Sequence, residues 1–297
     1  MRIFVTGATG FVGSAIVQEL LRGGHEVLGL ARSEAGAKSL IAAGAQVHRG
    51  DLEDLESLRS GAAASEGVIH AGFIHDFSRF EEVCKIDQRA IEALGSALAG
   101  TERPLIVTGG TALLAPGRML TEDEAAPSGS ASIPRVSEQT ALAMVSQGVR
   151  ASVVRLPPSV HGEGDHAFVP MLIHIARAKG ASAFIGTGQN RWPAVHRFDA
   201  ARLYRLVLEK GVSGTIYHGV AEEGVPFQEI AEVIGRRLKV PVMSKSPEEA
   251  AEHFGSFVHF AAIDNVASSA RTQQWLGWHP TEISLLNDID DERYFRA

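Results

Sequence analysis

The chain has 297 residues, 45 % of them hydrophobic and 21 % charged, with a formal net charge of −7. That is enough apolar material for one large domain, or for a domain with an added lobe. The acidic balance, without any cluster of lysine and arginine, argues against the basic footprint of a nucleic-acid partner. Cys84 is the single cysteine, so no intrachain disulfide can form; a reducing compartment fits, and a small buried apolar role suits Cys84. No run of about 18 apolar residues offers a membrane span, and no basic leader precedes the first strand. The expectation is a cytoplasmic protein acting on a small molecule, with neither a membrane nor a nucleic acid as partner.

Residues 2–5 read as a strand. Thr6-Gly7-Ala8-Thr9-Gly10-Phe11-Val12-Gly13 follows, a glycine-rich turn that opens a helix over 12–22. Val12, Ile16 and Leu20 fall on one face of that helix, and Gln18, Glu19 and Arg22 on the other. The order strand, glycines, amphipathic helix is the context a dinucleotide-binding turn requires. Glycine allows positive φ and leaves no Cβ in the way of a pyrophosphate. The first helix amides lack intrahelical partners and point at the anion, and Gly13 lets the helix sit close to the strand.

Strand-like runs recur at 26–30, 46–48, 67–70, 104–107 and 151–155, with helical stretches at 35–43, 52–62, 77–99 and 136–147 between them. Gly23-Gly24 closes the first helix. The alternation predicts an α/β protein: a doubly wound parallel sheet of the Rossmann type with helices on both faces and the ligand at the carboxyl ends of the strands. Beyond Arg155 the pattern loosens. Pro157-Pro158 and Gly162-Glu163-Gly164 read as a loop. Helices are expected at 168–178, 198–208 and 227–238, with a short strand at 215–218. Ser246-Pro247-Glu248-Glu249 marks another helix start. The predicted organisation is a dinucleotide-binding domain over 1–165, to which 193–220 returns. A smaller C-terminal substrate lobe comprises 166–192 and 221–297.

Cofactor choice is read from strand two, which ends Ala31-Arg32-Ser33. An acid there would bind the adenosine ribose hydroxyls and select NAD. Arg32 can instead clamp a 2′-phosphate, with Ser33 adding a donor, so NADP (NADPH) is expected rather than NAD. Asp51 in Gly50-Asp51-Leu52 has two readings: an acceptor for the adenine amino group, or the N-cap of the next helix.

Taken together, these residues resemble the extended short-chain dehydrogenase/reductases, the branch of epimerases, dehydratases and 3β-hydroxysteroid dehydrogenase-like proteins. The resemblance spans nearly the whole chain. It rests on Thr6-Gly7-x-x-Gly10-x-x-Gly13, Gly50-Asp51-Leu52, His70-Ala71-Gly72 and Arg155-Leu156-Pro157-Pro158-Ser159-Val160-His161-Gly162. Val195-His196-Arg197-Phe198-Asp199, Ser268-Ser269 and Leu276-Gly277-Trp278-x-Pro280 follow in the family's order. The resemblance implies that Gly7, Thr9, Gly10, Phe11 and Val12 hold the pyrophosphate. By the same carry-over Asp51 and Leu52 bracket adenine, Ala71 and Gly72 pass under the ribose, and Leu156, Pro157 and Pro158 lie beside the nicotinamide. Thr108 joins that cofactor set, and His161 faces the substrate pocket. A homodimer through helices 77–99 and 136–147 is implied as well.

One family feature is missing. Redox members carry Tyr-x-x-x-Lys, with tyrosine as acid/base and lysine lowering its pKa. The three tyrosines here, Tyr204, Tyr217 and Tyr294, have no lysine four residues on. In the matching segment, Ile133-Pro134-Arg135-Val136-Ser137-Glu138-Gln139, Pro134 takes the tyrosine position and Glu138 the lysine position. Glu138 could face the ribose but cannot lower a neighbouring acid's pKa. The usual active-site hydroxyl slot falls on Gly110, leaving Thr111 or Thr108 to reach a substrate carbonyl or to bond the local backbone. His161, His166 and His196 are candidate proton donors among the 12 histidines. Arg135 could stabilise an alkoxide. Asn190-Arg191-Trp192 is a candidate substrate edge. No metal site is read from His161, Glu163, Asp165 and His166, whose spacing fits no ligand pattern. The expected function is an NADP-dependent oxidoreductase that reduces a carbonyl with a non-tyrosine proton donor. Alternatives are an epimerase, dehydratase or isomerase with tightly held NAD(P), or a non-catalytic NADP-binding regulatory protein.

Overall fold

The computed structural model describes residues 1–112, 117–126 and 134–296. Ile133, at the head of the segment matched to the missing pair, lies outside them. The first half alternates as expected: β1 (Arg2–Thr6), α1 (Phe11–Arg22), β2 (Glu26–Ala31), α2 (Glu34–Ala42), β3 (Gln46–Arg49), α3 (Leu55–Ala63), β4 (Gly67–His70), α4 (Phe80–Leu98) and β5 (Pro104–Gly110). Then come β6 (Met119–Leu120), α5 (Ser137–Ala143), β7 (Arg150–Leu156), β8 (Ser159–His161), α6 (Phe168–Lys179), β9 (Ser182–Ile185), β10 (Arg191–His196), α7 (Arg197–Lys210) and β11 (Ile216–His218). The chain ends with β12 (Glu222–Pro226), α8 (Phe227–Leu238), β13 (Val242–Lys245), α9 (Pro247–Phe254), α10 (Val258–Ala261), β14 (Val266–Ala267), α11 (Ala270–Leu276) and α12 (Leu285–Ile289).

Seven strands form one sheet in the order β11-β7-β5-β4-β1-β2-β3, and every pairing in it is parallel. Side chains alternate between its faces, as a pleated strand demands. Ile3 and Val5 of β1 join a core under α1, α2 and α7. Phe4 points the other way, into a core under α3, α4 and α5. Val68 and Ile69, like Leu105 and Ile106, divide in the same manner. Strand order reverses between β1 and β4, so the ends of these two strands frame the crevice where such folds bind ligands.

The remaining elements build a second core. Strands β12, β10 and β8 form a small sheet and β13 pairs with β9. Trp192, Phe227, Phe254, Phe257, Leu285 and Ile289 are buried together beneath them. Residues 159–161, expected as loop, form β8 because their backbone pairs in parallel with residues 194–196 of β10. Ser246 starts α9 with a full capping box to Glu249. The helix after Gly50 begins at Leu55, not at residue 52. Asp51 turns back to accept from the Glu53 and Asp54 amides at 2.8 and 3.1 Å, and Asp54 caps the helix instead.

Candidate active site

The β1–α1 turn is shaped by backbone contacts that leave no room for side chains. Gly7 has φ +66°, and a Cβ on it would lie 2.6 Å from the Gly72 amide nitrogen. A Cβ on Gly13 would lie 1.9 Å from the Gly7 carbonyl oxygen. The turn closes with Gly10 N–H donating to the Gly7 carbonyl at 2.9 Å. Gly10 caps α1 without any side-chain bond, so the dipole end of the helix is left to an external anion. A cradle that a Cβ would fill, facing uncapped amides, fits the diphosphate of a dinucleotide.

The adenosine end is laid out beside it. Arg32 and Ser33 are exposed beyond β2. Ser33 also N-caps α2, accepting from the Gly36 amide at 3.1 Å. Thr9 and Ser33 both crowd Gly36. Leu52 lies against Gly72, the two close enough that a Cβ there would meet the leucine at 3.2 Å. Leu156, Pro157 and Pro158 leave the carboxyl end of β7 on the other flank.

Between these ends runs a buried polar chain. Thr6 Oγ1 receives the Gly72 amide at 3.2 Å and lies 2.8 Å from His70 Nδ1. His70 Nε2 lies 3.1 Å from Asp87 Oδ1, and Ser137 Oγ donates to Asp87 Oδ2. Arg135 Nε donates to Ser137 Oγ at 2.8 Å, and its Nη2 donates to the Thr108 carbonyl at 3.0 Å. The guanidinium sits 4.3 Å over the Phe73 ring, a favourable cation–π distance. Burial works against the Asp87 charge, but the hydrogen bonds from His70 and Ser137 and the charge of Arg135 together hold its pKa below the usual range.

The mouth of the crevice is aromatic and basic. Phe73 meets His75 and Phe80 edge-on, and Phe11 meets His166. The protein packed around His75 lowers its pKa, and the positive charges of Arg135 and His166 add to that. Arg197 straps the β8–α6 loop to α1. It donates to the Glu163 carbonyl at 2.7 Å and to Ser14 Oγ at 2.9 Å, with its guanidinium over Phe11.

A profile of the NAD dependent epimerase/dehydratase family matches residues 3–218. The chain belongs to this family. An uncharacterised protein of Schizosaccharomyces pombe is 57 % identical over 99 % of this chain and 100 % of its own. A ketoreductase of Stigmatella aurantiaca, acting by name on a 4-hydroxy-2-methyl-3-oxo-4-farnesyl-3,4-dihydroquinoline-1-oxide, is 27 % identical over 91 % of this chain and 84 % of its own. Among solved structures, a dTDP-glucose 4,6-dehydratase of Streptomyces venezuelae superposes with a TM-score of 0.78 at 20 % identity, covering 99 % of this chain and 97 % of that one. The protein is thus an extended short-chain dehydrogenase/reductase on an NAD(P)-binding Rossmann fold. Among the described residues no helix is long and apolar enough to cross a membrane.

As a member of the family, the chain has filled the slots of the usual catalytic groups with structural ones. Glu138, in the lysine position, does not face a ribose: it is buried in a bidentate pair with Arg155, at 2.8 and 2.7 Å. It also accepts from the Ala126 amide at 3.1 Å. Thr111 is buried and bonds the Asn265 side chain at 2.8 Å, which ties β5 to the segment before β14 and removes it from substrate. The Thr108 hydroxyl donates to the His70 carbonyl at 2.9 Å and meets Tyr204 Oη at 2.6 Å. The expected substrate edge is also interior or spent. Trp192 is core, Asn190 bonds the carbonyls of Ala261 and Ile263, and Arg191 is paired with Asp264. His196 caps α7, accepting from the Phe198 amide at 3.3 Å.

His161 is buried, with Nδ1 2.9 Å from Asp288 Oδ2, and Tyr294 Oη donates to the same carboxylate oxygen at 2.7 Å. His166 remains exposed, with Nδ1 3.1 Å from the Gly164 carbonyl. Sequence reasoning missed Asp87, Ser137 and His75 as site residues. Asp87 and Ser137 lie on ordinary helical stretches, and only the meeting of α4 with α5 brings them to His70 and Arg135.

Asp165, in the β8–α6 loop, is strained electrostatically. Its Oδ2 is buried and finds no partner among the described residues. Burial outweighs the Ala167 amide bond and the nearby His161 and His166, raising its pKa from 3.8 to about 6. A carboxyl whose folded pKa is raised costs stability as pH climbs from the unfolded value to the folded one. Asp165→Asn should therefore raise the melting temperature at pH 7–8, by up to about 3 kcal/mol of stability. The gain should vanish below about pH 4, where the carboxyl is protonated in both states. Thermal denaturation of both proteins across that range checks this.

Proposed function

We propose that this protein is an NADP-dependent reductase of a ketone or aldehyde carbonyl in a small organic molecule. The observation that carries the reading is Arg135. Its guanidinium is held at the carboxyl ends of β4 and β5 by Ser137 and the Thr108 carbonyl, over the Phe73 ring. Reducing a carbonyl builds negative charge on oxygen. A cation fixed in place beforehand stabilises that charge without reorganising, and a guanidinium does so without giving up its proton. A bound nicotinamide dinucleotide supplies the hydride chemistry.

The oxygen still needs a proton. His75 lies at the mouth of the crevice against Phe73, the ring that Arg135 covers, so it is placed to exchange a proton with solvent and pass it inward. Arg32, exposed at the end of strand two with no acid at Ala31, supports NADP over NAD. The ketoreductase relative supports the carbonyl reading.

The test is NADPH oxidation across a panel that includes ethyl 3-oxobutanoate, 2,3-butanedione and aromatic aldehydes. Arg135→Met should lower kcat by about 10²–10³-fold on any active compound, with the Kd for NADPH, read by fluorescence, little changed. Wild-type turnover by that variant would sink the reading. The reductive rate should fall as pH rises through the lowered His75 pKa, because the acid form is required. A His75→Asn profile that kept this limb would remove His75 from the role. Arg32→Ala should weaken NADPH binding by about tenfold or more while leaving NADH within about threefold, since a charge-assisted phosphate contact is lost. Equal weakening of both would mean that Arg32 does not read the 2′-phosphate.

A further inference from the structure

We infer that Asp87 and His70 are positioning residues, forming with Thr6 and Ser137 a hydrogen-bonded chain that converges on Asp87, anchors Arg135 and ties it to the cofactor turn. The inference rests on the reading of Arg135 as the cation that meets the substrate oxygen.

Proton directions follow from what each group can do. The Gly72 amide only donates, so it fills a lone pair of Thr6 Oγ1. The buried Thr6 hydroxyl has no other acceptor among the described residues, so its own proton goes to His70 Nδ1. That leaves the imidazole proton on Nε2, facing Asp87 Oδ1. From the other end, a guanidinium cannot accept, so Arg135 Nε–H fills a lone pair of Ser137 Oγ and the serine proton goes to Asp87 Oδ2. Asp87 is the one acceptor on which both arms converge, one from the pyrophosphate turn and one from Arg135. Thr6, His70, Asp87 and Ser137 are all buried, so the chain runs out of contact with bulk solvent.

The charges agree with the geometry. His70 is neutral in this arrangement, and the Asp87 carboxylate balances the Arg135 guanidinium through one serine. Buried carboxylates are retained where they are paired and fully bonded. With Pro134 and Glu138 in the places of the family's tyrosine and lysine, this chain supplies the fixed positive charge by another route. Its first bond is to Gly72, whose backbone touches Gly7, so a shift in the diphosphate cradle is transmitted to Arg135.

Two measurements test it. Ser137→Ala should lower kcat by about tenfold or more, because a small displacement of a catalytic group is costly. The Kd for NADPH should stay the same, and Ser137→Thr should restore the rate. Nitrogen-15 NMR of the histidine side chains should show His70 in the neutral Nε2–H form in the whole protein, without substrate. Asp87→Asn should disturb that signature, since its amide places a donor against one of the two arms. An imidazolium or an Nδ1–H tautomer at His70 would overturn the chain. Wild-type kcat for Ser137→Ala beside an impaired Arg135→Met overturns this inference alone. Wild-type turnover by Arg135→Met overturns the reading of Arg135 and this proposal with it.

Discussion

Everything in the site is referenced to the close backbone approach of Gly7, Gly13 and Gly72. Gly13 presses α1 onto the Gly7 carbonyl, and Gly7 presses β1 onto the segment after β4. No side chain of any size fits either gap. The approach sets the height of the α1 dipole end above the sheet and leaves it uncapped. It also brings the Gly72 amide within reach of Thr6, where the buried chain to Asp87 begins. A small displacement here would therefore be felt at both the helix end and Arg135.

The family's binding half and its proton-handling half are separable, and this protein keeps them to different degrees. The dinucleotide cradle needs only backbone, glycine and a helix end, so its geometry follows from the β–α turn itself. The Tyr-x-x-x-Lys pair depends on two particular side chains, and here its positions are put to structural use. Glu138 neutralises Arg155 inside the protein, and Arg155 in turn approaches His218 Nε2 at 3.2 Å and reaches the Glu124 carbonyl at 2.6 Å. Such a buried pair is costly to break by removing one partner, and Glu138 is held in it. Arg135, by contrast, is held by Ser137 and the Thr108 carbonyl, with the buried Asp87 carboxylate behind the serine.

The C-terminal part meets the sheet domain through many bonds, of which three show the pattern. Arg197 fastens the loop after β8 to the start of α1. Asn265 and Thr111 exchange side-chain and backbone bonds at 2.8 and 3.2 Å. Trp278 donates to the Asp199 carbonyl at 3.0 Å. The aromatic residues of the second core pack on one another, away from solvent. Trp192 illustrates this: next to Arg191 it reads as a substrate edge, but its ring is surrounded by Phe168, Phe227 and Phe257.

The sequence by itself determined the parallel sheet, the dinucleotide turn and the direction in which the ligand lies. Those depend on local periodicity, on glycines that must be glycines, and on helix starts such as Ser246-Pro247. It also offered Arg135 as a cation for an alkoxide and Arg32 as one for a 2′-phosphate. Tertiary structure decided which candidates are free to act. Thr111, Glu138, Asn190 and His196 looked available because their partners, Asn265, Arg155, the 261–263 carbonyls and the Phe198 amide, are mostly distant in the chain or set by a helix cap. Asp87 and Ser137 carried no motif, since a carboxylate and a hydroxyl on helices are ordinary solvated residues until α4 and α5 pack. Hydrogen bonds between side chains fifty residues apart, such as that between Ser137 and Asp87, leave no periodic trace.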